Sequence, residues 1–214
     1  MKIIKPYFVI EEEIDKVNIL KRIEKAGRTA YKSEDKITEK SAPEFVKKMM
    51  NFKHVSVIEH SQLSFRFITD RGITHEIVRS RLFSYTQEST RYCNFSKNKF
   101  GNEITVIEPL FFEKGTVKYN LWLESMLFAE KTYLELLKKK ATPQEARSVL
   151  PNSLKTEIVV TGNIRLWRTF LTLRCNKASH PQMRELTLPL LIYLNRELPE
   201  LFGDLHEKFI SINI

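Results

Sequence analysis

The residues best equipped for chemistry lie between Arg79 and Tyr92, in the run Arg79-Ser80-Arg81-Leu82-Phe83-Ser84-Tyr85-Thr86-Gln87-Glu88-Ser89-Thr90-Arg91-Tyr92. Its three arginines alternate with hydroxyls and amides, and its apolar positions keep neither a helical nor a strand period throughout. Arginine offers a planar fork of five N–H donors that matches carboxylate and phosphate. Arg79 and Arg81 lie about 200° apart on a helix but share a face on an extended strand, so they converge only if the chain leaves its helix near Arg79. The segment is either a solvated basic loop or an anion site. Leu82, Phe83, Tyr85 and Tyr92 argue for the second, being too many large apolar groups for a free loop.

Two further constellations stand apart from it. Lys53-His54-Val55-Ser56-Val57-Ile58-Glu59-His60 holds two histidines and a carboxylate. The spacing is not His-Glu-x-x-His and no Cys or Asp cluster supports it, so metal is not expected. A structural role for the histidines remains open. In Asn163–Arg174, a helical repeat brings Asn163, Trp167, Phe170 and Arg174 within about 60° of one another. A guanidinium beside an apolar stripe is costly unless paired, so Arg174 meets either a structural carboxylate or a ligand. Arg147, in Pro143–Pro151, poses the same question.

The elements that must position these groups are legible as periodicities. Residues 2–10 suit a strand. Residues 12–27 suit a helix, with Ile14, Val17, Leu20 and Ile23 as its apolar stripe and Gly27 as its stop. Thr38–Met50 reads as a second helix. In 62–68 Leu63, Phe65 and Phe67 alternate with Ser64 and Arg66, the pattern of a half-buried strand. A short helix from Gly72 to Arg79, a strand over 103–108 and a long amphipathic helix over Lys118–Lys139 follow. Then come a short helix from Pro143 to Leu150, a strand over 155–161, and helices over Asn163–Arg174 and Gln182–Leu198. Helices outnumber well-separated strands, which predicts an α/β or α+β domain with a helix-covered sheet.

The chain has 214 residues, enough for one domain with a sizeable core. Its 42% hydrophobic and 29% charged content is that of a globular protein. No stretch approaches the roughly 18 apolar residues of a membrane span, and residues 1–6 show no signal-peptide core, so a cytoplasmic protein is the default expectation. Cys93 and Cys175, far apart, make neither a metal signature nor a disulfide framework. The net charge of +9 favours anionic partners without choosing among them. There is no Gly-x-Gly-x-x-Gly and no P-loop, so a nucleotide cofactor would not sit in a Rossmann crevice.

In order and spacing, these constellations resemble the flavin-dependent thymidylate synthases. The family signature is Arg-His-Arg, seven residues, then Ser; here it reads Arg79-Ser80-Arg81, Leu82 through Glu88, then Ser89, continued by Thr90-Arg91-Tyr92. His54-x-Ser56-x-x-Glu59-His60 resembles a second family element, and Arg28-Thr29-Ala30-Tyr31 is similar to its Arg-x-Ser/Cys-aromatic step. Ala146-Arg147-x-Val149-Leu150-Pro151, Asn163-x-Arg165 and Leu173-Arg174 match further ones. The likeness covers most of the chain. It departs at Ser80, where the family has histidine against the flavin, at Thr86, where many members have Asn, at Thr169 (Asn or His), and at His180 (Gln).

The resemblance implies a single α/β (α+β) domain over residues 1–214 with a central, mostly antiparallel sheet covered by helices. It implies conversion of dUMP to dTMP with methylenetetrahydrofolate as carbon donor, reduced FAD as hydride donor and NADPH as flavin reductant, in a cytoplasmic homotetramer with shared sites. Arg174 would be catalytic, beside the uracil carbonyls. The dUMP set would be Glu76, Arg79, Gln87, Glu88, Ser89, Thr90, Arg91, Arg147 and Arg174, with Arg91, Arg147 and Ser89 on the phosphate. The FAD set would be Ser56, Arg79, Ser80, Arg81, Gln87, Asn163, Arg165 and Thr169, with Arg79 and Arg81 on the diphosphate, and His54 would face the folate or nicotinamide side. No metal, membrane or specific nucleic acid is implied. The alternatives are a basic nucleic-acid-binding module, which would show steep salt dependence, and a flavoenzyme with another pyrimidine or folate reaction.

Overall fold

The computed structural model describes residues 1–210. In chain order its elements are β1 (Lys2–Ile4), β2 (Tyr7–Ile10), α1 (Lys16–Thr29), α2 (Ser41–Asn51), β3 (Gln62–Asp70), α3 (Arg71–Ile77), β4 (Ser84–Gln87), β5 (Thr105–Ile107), α4 (Val117–Lys138), α5 (Pro143–Ala146), β6 (Lys155–Asn163), α6 (Ile164–Arg174), α7 (Pro181–Glu197) and α8 (Pro199–Phe209). Single turns of 3-10 helix cover Glu34–Lys36, Asn98–Phe100 and Arg147–Val149, and a longer one covers Val55–His60. The main sheet, in the order β2-β3-β6-β4, is mostly antiparallel, and β1 pairs with β5 in a parallel two-stranded sheet. The fold is of the expected α/β class.

Most of the expected elements form, with shifted ends. The strand expected over 2–10 breaks at Lys5–Pro6, since proline cannot donate to a ladder. The first helix starts at Lys16, with the Asp15 carboxylate accepting from Asn18 N at 3.0 Å. Ile14 therefore lies outside it, and Val17 is exposed rather than part of the stripe, leaving Leu20 and Ile23 in the core. The region 143–150 is one α-turn followed by a 3-10 turn. Its start is a reciprocal capping box between Thr142 and Glu145. Strand β4 and helix α8 have no counterpart in the sequence reading.

The described residues gather into two compact units. The first holds Met1–Val9, Arg66–Arg79 and Tyr85–Val159; the second holds Ile10–Phe65, Ser80–Ser84 and Val160–Ile214, of which 211–214 lie outside the description. In the first, Phe95, Ile104, Val106, Met126, Tyr133, Ala146 and Leu154 form the core between α4, α5 and β5. In the second, α1 packs on α2 and on the 55–60 turn, and α6, α7 and α8 pack on one another. Trp167 lies fully buried there, edge-on to Phe65 at 5.1 Å. No helix among the described residues is long and apolar enough to cross a membrane.

Candidate active site

In the first unit a short helix and two strands hold the substrate-side candidates. Asp70 caps α3, accepting from Ile73 N at 2.7 Å, so that Glu76 falls at the helix's far end and Arg79 in the turn just beyond it. There the Tyr85 hydroxyl donates to the Ile77 carbonyl at 3.0 Å and ties β4 to the helix. The Gln87 amide donates to Thr74 Oγ1 at 2.9 Å and to Thr156 Oγ1 at 3.3 Å. Gln87 is thus anchored inward and Glu88 begins the loop. The Ser89 carbonyl accepts from Cys93 N at 2.9 Å, and the Ser89 hydroxyl accepts from Arg91 N at 3.3 Å. This turn leaves Thr90 buried and Arg91 exposed over the Tyr92 ring.

Beneath that loop lies a charge network absent from the sequence reading. Lys155 bonds Glu157 at 2.5 Å and Glu88 at 3.2 Å, and Arg66 bonds Glu157 at 3.1 Å. Burial works against the Lys155 charge, but Glu157 and Glu88 override it and hold its pKa above the ordinary lysine value. Burial likewise pushes Glu157 up, and Lys155 with Arg66 bring it below the ordinary carboxylate value. Gln87, Glu88, Cys93, Lys155 and Glu157 line a cavity of about 770 Å³ in this unit. The signal was present in the sequence, because residues 155 and 157 of a strand share one face.

Arg71 is the second residue the sequence reading missed. Burial lowers its pKa first, Arg147's positive charge lowers it further, and Glu88 raises it. Its buried Nη1 has no hydrogen-bond partner among the described residues. Two guanidinium groups held in mutual repulsion, one with an unsatisfied buried donor, suit a doubly charged oxyanion. Arg147 itself is exposed on its 3-10 turn.

In the second unit the opening segment turns sharply. Leu82 has φ +74° and is 87% exposed. This left-handed residue reverses the chain, so Arg81 stays exposed while Phe83 packs edge-on to Trp167 at 4.9 Å and near Phe170 at 6.1 Å. That reversal is why the segment carries no single period. A Cβ on Gly162 would come within 2.5 Å of the Phe83 Cε1 atom, so this close approach requires glycine.

Asn163 caps α6, its side-chain oxygen accepting from Leu166 N at 2.9 Å. The helix then sets out Arg165, Thr169 and Arg174 in turn. Arg165 reaches Glu59 on the 55–60 turn, and with Val55, Arg168 and Thr169 it lines a cavity of about 520 Å³. A cationic arm, a hydroxyl and an apolar wall fit a flavin nucleotide's charged and flat parts, so the donor set is compatible with FAD. Arg174 is half-buried in the last turn. His54 precedes the 55–60 turn, with its exposed ring 6.0 Å from that of Phe52, and Ser56 is exposed two residues on, within that turn.

The candidates therefore divide. The substrate-side set lies in the first unit, with Arg174 in the second. The flavin-side set lies in the second, with Arg79 and Gln87 in the first. Neither cysteine is primed as a nucleophile. Burial and Glu88 raise the Cys93 pKa, and burial pushes Cys175 up to about 11. No group of His, Cys, Asp and Glu suited to a metal occurs among the described residues.

Comparison with known proteins identifies the family and the fold. The family model "Thymidylate synthase complementing protein" matches residues 14–200. A flavin-dependent thymidylate synthase of Mycolicibacterium vanbaalenii is 33% identical over 201 residues, covering 85% of this chain and 78% of the relative; one of Mycobacterium tuberculosis is 34% identical with the same coverage. The fold is similar to that of a UMP/dUMP methylase from Streptomyces cacaoi, crystallised with 5-Br dUMP (TM-score 0.76, 19% identity, 95% of this chain and 96% of that one). It is also similar to that of thymidylate synthase X from Helicobacter pylori, crystallised with FAD and dUMP (TM-score 0.73, 23% identity, 93% and 98%). With its signature segment in place and its relatives matched over most of their length, the chain belongs to the flavin-dependent thymidylate synthase family.

Proposed function

We propose that the protein converts dUMP to dTMP, with methylenetetrahydrofolate as carbon donor and NADPH as the reductant of a bound FAD. The observation that carries this reading is the Arg71–Arg147 pair: two guanidinium groups that feel each other's charge, one with a buried unsatisfied donor, within the electrostatic reach of Glu88, which starts the loop held by Gln87 and Lys155. Arg91, Arg147 and Arg71 bind the dUMP phosphate through charge-assisted hydrogen bonds, and the Ser89 turn adds its hydroxyl. Glu76, Glu88 and Thr90 shape the nucleotide pocket, and Arg79 neutralises charge between the two ligands.

Arg174 lies by the uracil carbonyls. As electron density moves into the ring, its fixed positive charge stabilises the developing anion without reorganisation. When bound, reduced FAD supplies the hydride. Arg81 and Arg165 hold its diphosphate, Ser56, Ser80, Asn163 and Thr169 orient it, and His54 stands on the side where folate or nicotinamide docks. The active protein is a cytoplasmic homotetramer, each chain one catalytic domain, with sites shared between subunits. The exposed Val117, Leu121 and Phe128 along one face of α4 are the kind of apolar surface that subunit contacts cover.

Release of tritium from C5-labelled dUMP tests the reading. Release should require FAD, NADPH and methylenetetrahydrofolate together. Binding of RNA or DNA with a steep salt dependence, unaffected by free dUMP, would instead favour a nucleic-acid module.

A further inference from the structure

Gln87 closes strand β4, and the two hydroxyls that hold it also fix which end of its amide faces outward. Thr74 on α3 and Thr156 on β6 belong to the first unit with it and are fully buried. The Thr74 hydroxyl donates to the Arg71 carbonyl at 3.0 Å. A carbonyl only accepts, so the single hydroxyl hydrogen of Thr74 is committed there and its oxygen is left as an acceptor. The Gln87 amide nitrogen donates to that oxygen at 2.9 Å and to the Thr156 hydroxyl oxygen at 3.3 Å.

The opposite orientation of the amide would set its carbonyl against a Thr74 oxygen with no hydrogen to give, in a place closed to water, where unpaired polar groups are costly. Both amide hydrogens are therefore turned toward the threonines. Gln87 lines the cavity of about 770 Å³, and what remains for a ligand there is its carbonyl oxygen. The bonds run one way, from Gln87 through Thr74 to the Arg71 carbonyl, and each polarises the next. A side chain able to donate or accept is thereby restricted to accepting.

We propose that Thr74 and Thr156 are positioning residues that hold the Gln87 carbonyl oxygen toward dUMP, where it accepts a hydrogen from the nucleotide's base or sugar. This rests on dUMP being the substrate, and it makes the two threonines determinants of nucleotide selectivity. The base and sugar of dUMP carry two such donors, uracil N3–H and the 3′-hydroxyl. A site preorganised to accept a hydrogen discriminates against an analogue that lacks it, because its own polar group is then left unpaired. An amide free to turn loses part of that discrimination.

The experiment is an equilibrium titration of dUMP, N3-methyl-dUMP and 2′,3′-dideoxyuridine 5′-monophosphate into the full-length wild type and its T74V, T156V, T74S and T69V variants. The wild type should bind one analogue about tenfold more weakly than dUMP, the value of one well-formed hydrogen bond, and that analogue names the donor. T74V, which keeps the shape and removes the hydroxyl, should cut the ratio to about threefold or less, and T74S, which restores the hydroxyl, should return it. T156V should lower the ratio in the same direction and carries the test should T74V not fold. T69V makes the same change at a buried threonine of the same unit whose hydroxyl has no partner among the described residues, and should keep the wild-type ratio. Equal binding of all three nucleotides by the wild type, an unchanged ratio in folded T74V, or an equal loss in T69V would overturn the proposal. A wild type that binds no dUMP rejects the synthase reading as well, whereas dUMP binding with the ratio unchanged in the threonine variants rejects the positioning role alone.

Discussion

The Ser89–Arg91 region and the Arg165–Thr169 region use arginine in opposite ways. The first rests on a strand and a loop tied down by Lys155, Glu88, Glu157 and Gln87, and its Arg71 feels the positive charge of Arg147 and has a buried donor unsatisfied. The second stands on the exposed side of a well-capped helix, where Arg165 is paired with Glu59 and half open to solvent. A region under mutual repulsion gains from an entering anion, which relieves the strain as well as pairing the charge. A region already paired must exchange one partner for another, and gains less per contact. The small, doubly charged phosphate fits the first arrangement, and a large cofactor held by many modest contacts fits the second.

The largest effect should come from Arg174, which belongs to neither anion cradle. R174A should cut turnover by about 10³-fold, the loss expected for a transition-state charge contact, while the protein stays yellow; retained turnover would remove its role. Next, R147A should raise the KM for dUMP by about 30- to 100-fold, the value of a charge-assisted contact, with FAD binding unchanged. R165A should do the reverse, weakening FAD and sparing dUMP affinity. If the two variants exchanged phenotypes, the division between the regions would be wrong.

K155M should cost about 2 kcal/mol in urea unfolding, because it leaves two carboxylates facing each other in a partly buried place. The same network sets a pH window. The depressed Glu157 pKa contributes stability present above the ordinary 4.5 and lost as pH falls through the folded value. The raised Lys155 pKa contributes stability present below the ordinary 10.5 and lost as pH rises through its folded value. Between those limits the wild type should exceed K155M most, and a constant difference from pH 3 to 11 would show that the network is not the cause. A smaller effect is expected from S80H, which restores the family's histidine against the flavin and should tighten FAD about threefold. C93S and C175S should leave turnover within about twofold, since both thiols are held protonated; loss of activity in a folded variant would point to a thiol nucleophile.

What the sequence revealed follows the strength of each local signal. The alternation Leu63, Phe65, Phe67 marks β3 because all three face the core. Helix α6 was legible from Asn163 to Arg174 because its cap and its Trp167–Phe170 stripe agree. Strand β4 was hidden: Ser84–Gln87 is short and polar, and its pairing depends on a partner far along the chain. Helix α8 was hidden because Leu198-Pro199 reads as a stop, although proline at a first helical position starts a helix equally well.

The site shows the same limit. Arg91, Arg147 and Arg174 stand out as motif arginines, whereas Arg71 matters because of Arg147, 76 positions later in the chain, which no local pattern reveals. Leu82 illustrates the converse: its left-handed turn explains a segment whose period could not be read, because the segment changes direction in the middle.

The most direct measurement is the absorbance spectrum of the purified protein, with FAD and then dUMP added. The account predicts a flavin spectrum in the isolated or FAD-supplemented protein and a further change when dUMP binds alongside it, lost in R147A at the same dUMP concentration. A colourless protein that takes up no added FAD, or a flavin spectrum indifferent to saturating dUMP, would contradict it.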